Sequence, residues 1–187
     1  MIRTLSLISF LMVLSGCVTI VDATHDGPIE TDPSKRSFGQ YIDDKKLKTV
    51  AAVNIKKADP ALAQARIRVA TYQNMVLLTG QVPSVNLKQQ AGKTVREISG
   101  VRQVFNELEV AEKTRFFNRT KDAWIKTKIK TKLIANSEIE SSRVDVIVEN
   151  KTVYLMGVIT QEQSELITDV IKKTRGVKKV VRAIEYI

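Results

Sequence analysis

Side chains capable of chemistry are few in this sequence and lie far apart. The single cysteine, Cys17, follows Leu14-Ser15-Gly16, so its thiol is a nucleophile that an enzyme can approach past small residues. The single histidine, His25, has no metal-ligand partners around it, which argues against a metal site or a catalytic base. One cysteine excludes a disulfide framework within a monomer and any cysteine-based zinc cage. The carboxylates are scattered, with no pair spaced for general acid/base work, and no glycine-rich loop is present to cradle a phosphate. A periplasmic hydrolase is therefore disfavoured, and the expectation is no enzyme, no metal and no cofactor apart from what Cys17 carries. The remaining distinctive side chain is the only tryptophan, Trp124, in the lysine-rich run Lys121-Asp122-Ala123-Trp124-Ile125-Lys126-Thr127-Lys128.

The surroundings of Cys17 give it a role. Arg3 supplies a positive start, Leu5 to Leu14 an apolar stretch of signal-peptide length, and Ser15-Gly16 the small residues before a cleavage point. The stretch is short of the ~20 apolar residues that cross a bilayer. Leu14-Ser15-Gly16-Cys17 resembles the bacterial lipobox, whose cysteine receives a diacylglycerol thioether and, after cleavage, a further acyl chain such as palmitate. Several acyl chains anchor stably where one does not. Val18 rather than Asp follows the cysteine, and by resemblance to Gram-negative sorting signals this points to the outer membrane, facing the periplasm. The chain holds 30 Lys+Arg against 20 Asp+Glu, a net charge of +10, so an anionic partner is expected. Export puts cytosolic nucleic acid out of reach and leaves lipid or an acidic protein.

These residues must be positioned by a body of modest size. The chain has 187 residues, 43% hydrophobic and 27% charged: a globular composition with room for one ordinary domain or two small ones. Residues 1–16 read as the signal peptide and 17–40 as the lipidated N-terminus and a flexible tether, marked by Gly27-Pro28 and Asp32-Pro33. The remainder repeats once. Ile67, Val69, Thr71, Val76, Leu78 and Gly80 recur 77 residues later as Val144, Val146, Val148, Val153, Leu155 and Gly157. Gly100, Val101, Val104, Leu108 and Val110 recur 76 residues later as Gly176, Val177, Val180, Ile184 and Tyr186. The alternation describes strands with one buried face.

Each unit reads helix, strand, strand, helix, strand, occupying 41–112 and 121–187 with a linker at 113–120. The first unit has a helix striped by Leu47, Val50, Ala51 and Asn54, strands at about 65–71 and 75–80, and a turn at Gln73-Asn74. A second helix follows, carrying Leu87, Ala91, Thr94, Val95 and Ile98 and ended by Gly100 as a C-cap, then a strand at about 102–110. The second unit has Ile125, Ile129 and Leu133, strands at about 143–149 and 152–156 around Asn150-Lys151, and a helix with Leu166, Ile167, Val170 and Ile171 ended by Gly176. The fold class is α+β, two tandem domains, each a three-stranded mixed sheet packed on two helices. Phe116-Phe117 reads as a seam or cap between the units, and Tyr72 and Tyr154 as packing residues.

An αββαβ unit of this size, with a glycine after its second strand and a Gly-Val step before its third, resembles the BON domain. Gly80 and Gly100-Val101 carry the resemblance in the first unit, Gly157 and Gly176-Val177 in the second. Two such units behind a lipobox resemble the dual-BON outer-membrane lipoproteins of the DolP (YraP) family. The stretches Thr71-Tyr72-Gln73, Val76-Leu77-Leu78, Asp122 to Lys128 and Val153-Tyr154-Leu155-Met156-Gly157 are particularly similar. The resemblance implies a non-enzymatic protein that binds anionic phospholipid through its second BON domain, supports outer-membrane integrity and localises to division sites. The Asp/Pro-rich tether and the extra lysines after Trp124 depart from the family pattern.

The charge distribution agrees with that assignment. Residues 38–112 carry 11 Lys+Arg against 7 Asp+Glu, and residues 113–187 carry 16 against 9. On a helical wheel Ile125, Ile129 and Leu133 face the sheet, and Trp124, about 100° from Ile125, stands at the edge of that stripe. Lys121, Thr127, Lys128 and Thr131 share its face. An indole at headgroup depth with lysines meeting anionic headgroups is what an interfacial surface needs. The candidate phospholipid-binding set is Trp124, Lys121, Ile125, Lys128, Thr131 and Lys132, with phosphatidylglycerol or cardiolipin as the ligand. Arg175, Lys178 and Lys179 either extend that patch or form a solvated turn. The competing reading has Trp124 plug the core or the seam between units, the lysines forming a solvated face. The competing function is a periplasmic adaptor for the outer-membrane protein assembly machinery or a cell-wall amidase pathway, its basic face meeting an acidic protein.

Overall fold

The computed structural model describes Asp32, residues 35–111 and residues 119–187, with the backbone alone at Arg119. Cys17, His25 and Phe116-Phe117 lie outside the described residues. The first domain comprises α1 (Phe38–Ala58), a short α2 (Pro60–Gln64), β1 (Arg66–Tyr72), β2 (Met75–Val82), α3 (Val85–Arg96) and β3 (Gln103–Val110). The second comprises α4 (Arg119–Ala135), a 3-10 turn at Ser141–Arg143, β4 (Val144–Glu149), β5 (Thr152–Ile159), α5 (Gln161–Lys172) and β6 (Lys179–Tyr186). Each sheet runs antiparallel from its first to its second strand and parallel from its second to its third, so β2 and β5 are central. The α+β class and the tandem repeat are as expected. Among the described residues, no helix is long and apolar enough to cross a membrane.

Three sequence expectations are corrected. The first helix begins at Phe38, inside the stretch assigned to the tether, because Ser37 and Gln40 form a reciprocal capping box: the Ser37 hydroxyl accepts from the Gln40 N–H at 3.1 Å, and the Gln40 side chain accepts from the Ser37 N–H at 2.7 Å. Its buried stripe is Leu47, Ala51 and Ile55; Val50 and Asn54 point to solvent. The glycines also do different work from that assigned. α3 and α5 end at Arg96 and Lys172, and Gly100 and Gly176 lie beyond them, in turns closed by Val101 N–H to Ile98 and Val177 N–H to Thr174. Their φ values of +87° and +106° suit the third position of such turns. Gly80 and Gly157 lie inside β2 and β5, not after them. A Cβ on Gly80 would stand 1.9 Å from the Arg66 carbonyl oxygen, and one on Gly157 2.6 Å from that of Arg143, so only glycine allows the neighbouring strand so close.

The third correction concerns the other side of the sheets. Each domain core lies between its helices and one sheet face: Leu47, Ile55, Val76, Leu78 and Val95 in the first, Ile129, Leu133, Val153, Leu155 and Ile167 in the second. The opposite faces are not solvated. Tyr72, Met75 and Leu77 of the first sheet pack with Tyr154, Met156, Val158 and Ala183 of the second in one buried cluster. β2 is therefore buried along its whole length, as is β5 apart from its first residue. A strand covered on both faces reads as a continuous apolar run, which Met75-Val76-Leu77-Leu78 and Val153-Tyr154-Leu155-Met156 are. The result is four layers, helices, sheet, sheet, helices.

Polar groups fix how the sheets face each other. Glu149, beside the β4–β5 turn, accepts from the Thr79 hydroxyl at 2.8 Å and is paired with Arg66 at 3.6 Å, both far from the β1–β2 turn. Arg102, whose N–H bonds Asn74 in the β1–β2 turn, pairs with Glu185 near the far end of the second domain. The hairpin tip of each domain thus packs beside the open end of the other. Tyr72 and Tyr154 are packing residues in this seam, as expected, and burial pushes both phenols up to about 12.

Candidate functional site

The first helix of each domain is pinned by an aspartate that sequence periodicity does not reveal. Both hairpins turn through two residues of positive φ, Gln73-Asn74 and Asn150-Lys151, the geometry of a type I′ turn. Such a turn leaves N–H groups at its tip. Asp44, buried on α1, accepts from Gln73 and Asn74 N–H at 2.9 Å each. Asp122, buried on α4, accepts from Asn150 at 2.8 Å and Lys151 at 3.0 Å. Asp122 fixes the rotation of α4, and Ile125, Ile129 and Leu133 complete its inner face.

That rotation turns Trp124 outward. Its side chain is 62% exposed, so it plugs neither the core nor the seam. The Lys128 ammonium lies 3.4 Å from the centroid of the indole and donates to the Arg175 carbonyl at 3.0 Å. Lys132 reaches the Lys173 carbonyl at 3.4 Å. Desolvation, then repulsion from Arg175 and Lys132, lowers the Lys128 pKa from its usual value. A cation over an indole is electrostatically attracted to the ring face, so Lys128 and Trp124 form one amphipathic unit held against the 173–175 loop.

The remaining members of the candidate set divide. Lys121, Thr131 and Lys132 are exposed on the outer side of α4. Ile125 is 3% exposed and touches the place where a Gly176 side chain would be, with two carbons 3.1 Å from that Cβ position. It is a core residue beneath the face, a correction that follows from its position about 100° from Trp124. Lys130 turns toward the sheet edge and pairs with Asp145 at 3.8 Å. Ile134, 72% exposed, is an apolar member of the outer side that the sequence reading passed over; its place ten residues beyond Trp124, outside the Ile125-Ile129-Leu133 stripe, was the available signal. Arg175, Lys178 and Lys179 are exposed, with Arg175 beside Lys128.

A groove between the two helices, about 590 Å³ in volume, is lined by Lys132, Ala135, Val170 and Lys173 among others. A similar groove of about 540 Å³ lies between α1 and α3, which makes it a property of the fold. The Trp124–Lys128 pairing has no counterpart in the same register: by the turn-capping aspartates Asp44 and Asp122, the residue in register with Trp124 is Lys46, and the aromatic–lysine pair of α1 is Tyr41 with Lys45, 5.1 Å from the ring centroid and five residues earlier. Among the described residues, no group of three or more His, Cys, Asp or Glu could hold a metal ion.

Comparison with known proteins agrees with this duplicated architecture. The BON domain family matches residues 43–112 and 121–187. The chain is 35% identical to the outer membrane lipoprotein DolP of Haemophilus influenzae over 176 residues, 93% of this chain and 90% of that protein. It is 37% identical to a 21 kDa hemolysin of Actinobacillus pleuropneumoniae over 163 residues, 87% and 82% of the two chains. Against the osmotically-inducible protein Y of Escherichia coli K12, identity is 31% over 160 residues, 81% and 76% of the two chains. With both domains matched and nearly the whole length aligned, this chain belongs to the BON-domain family and, within it, to the dual-BON outer-membrane lipoproteins of the DolP (YraP) group.

Proposed function

We propose that the protein is anchored through acyl chains on Cys17 to the periplasmic side of the outer membrane, and that its second BON domain binds anionic phospholipid there, phosphatidylglycerol or cardiolipin. By this contact it supports membrane integrity and concentrates at division sites. The observation that carries the reading is an exposed indole capped by a lysine on the outer side of α4. Indole rings settle at headgroup depth, and each lysine or arginine near an anionic surface contributes roughly 1 kcal/mol. Lys121, Lys128, Lys132 and Arg175 supply that attraction around Trp124. Anchoring makes the second contact intramolecular, so a weak site suffices.

The test uses soluble protein starting after Cys17, titrated with vesicles while Trp124 fluorescence is recorded. A salt-sensitive blue shift is expected with anionic vesicles and not with zwitterionic ones. Trp124→Glu should abolish vesicle sedimentation while leaving the circular dichroism unchanged; wild-type sedimentation by that variant would overturn the reading. No shift in folded protein would favour the adaptor for outer-membrane protein assembly or amidase regulation, whose basic face should then capture an acidic protein without lipid.

A further inference from the structure

Because the two domains share one plan, a place where the second departs from the first marks a property the fold does not require. One such place lies between α5 and β6. A recess of about 280 Å³ there is lined by Lys172, Lys178, Lys179 and Arg182 together with Thr168, and among the described residues no carboxylate lines it. Thr168 is 6% exposed, and its hydroxyl oxygen is buried without a hydrogen-bond partner among the described residues. A helical threonine whose hydroxyl does not meet solvent can return it to the carbonyl four residues back. Thr49 and Thr127 do so, at 3.0 and 3.1 Å. Thr168 does not.

The first domain closes the same place with its own side chains. The N-caps Ser84 and Thr160 put α3 and α5 in register, so Gly92 stands where the second domain has Thr168, and Asn106 where it has Arg182. Asn106 donates to the Lys88 carbonyl at 2.7 Å, and a Cβ on Gly92 would come within 2.6 Å of its amide nitrogen. The amide lies over the glycine and is satisfied. A threonine at that position excludes the arrangement, and the second domain replaces a closed contact with an open basic recess over an unpaired hydroxyl.

We infer that this recess is a binding site for a phosphate-class oxyanion. A buried hydroxyl left unpaired is the group that a missing ligand oxygen would satisfy. Charge-assisted bonds from lysine and arginine to phosphate are the strong class of hydrogen bond, and the arginine fork matches two phosphate oxygens at once. The anion accepts from Thr168 at the floor and from Lys172, Lys178, Lys179 and Arg182 at the rim. Free phosphate and the phosphodiester of a lipid headgroup share this chemistry. The site shares no residue with Lys121, Trp124, Lys128, Lys132 and Arg175, on which the proposed function rests, and goes beyond that function.

The mature chain, unlipidated and labelled with nitrogen-15, is titrated at constant ionic strength with inorganic phosphate in exchange for chloride, and separately with short-chain phosphatidylglycerol below its micelle concentration. Saturable shifts are expected at the amides of Thr168, Lys178, Lys179 and Arg182. Arg182→Asn, which installs the first-domain residue on an exposed position, should weaken binding at least tenfold, and Thr168→Val at least threefold, while Trp124→Glu leaves it unchanged. Saturation by inorganic phosphate identifies a site for freely diffusing phosphate; saturation by phosphatidylglycerol alone identifies a headgroup site. Saturation by neither, or shifts that Arg182→Asn does not alter, would overturn the assignment.

Discussion

Asp44 and Asp122 are each worth more to this protein than their single charge suggests. Each accepts two backbone N–H groups from a turn whose residues both adopt positive φ, so removing the carboxylate leaves two donors without this acceptor. Leaving buried or half-buried N–H groups unpaired costs about 1–3 kcal/mol. Asp122→Ala should therefore lower the unfolding free energy by about 2 kcal/mol in urea denaturation. It should also loosen the rotation of α4 that turns Trp124 outward, seen as a weaker vesicle-induced blue shift. These aspartates were not legible in the sequence because a periodicity argument follows apolar residues, and both are charged residues on the buried side of their helices. The reciprocal error placed Ile125 on the exposed face of α4: it neighbours Trp124 in the chain, yet one residue along a helix is a rotation of about 100°, enough to move from solvent to core. Trp124 itself was legible as a boundary residue, and only the geometry excluded the plug.

At the level of elements, the repeat, the two hairpins and the helix order could all be read from spacing, since each domain core needs the 2- and 3.6-residue periods that the sequence displays. What spacing could not give was the face on which the second sheet lies. Alternation identifies one buried side of a strand, and the seam residues Met75, Leu77, Tyr154 and Met156 fill the gaps in that alternation without naming what covers them. Their burial has a pH consequence. Tyr72 and Tyr154 have phenol pKa values raised by desolvation to about 12 in the folded protein, from 10.0. Below pH 10 both phenols are protonated in the folded and the unfolded chain, and the stability they confer is fully present. Between pH 10 and 12 the unfolded chain ionises first, so stability falls as pH rises. A urea series across that range should show the loss, and the Tyr72→Phe, Tyr154→Phe double variant should flatten it.

The whole molecule is a stack in which the hairpin tip of one domain lies beside the open end of the other. α1 starts near the first hairpin tip, where Asp44 is held, and Trp124 lies near the second, beside Asp122. α1 therefore begins, at Phe38, in one outer layer and at one end, while the indole sits in the other outer layer at the opposite end. Four layers about 10 Å apart and strands of eight residues, roughly 26 Å long, separate these corners by some 30–40 Å. The covalent reach from Cys17 to Lys35 is a leash of at most roughly 60 Å. Under the proposed lipidation of Cys17, Trp124 can reach the same bilayer only where the leash spans the distance between these corners. Deleting residues 21–29 would leave roughly 30 Å at most. A lipidated chain with that deletion should stay on vesicles yet lose the Trp124 blue shift, while the unlipidated chain with the same deletion keeps it. A shift retained in both would mean that the leash sets no limit. If it does, its length determines how far from the bilayer the body stands, and how much of the time the indole is free to meet something else.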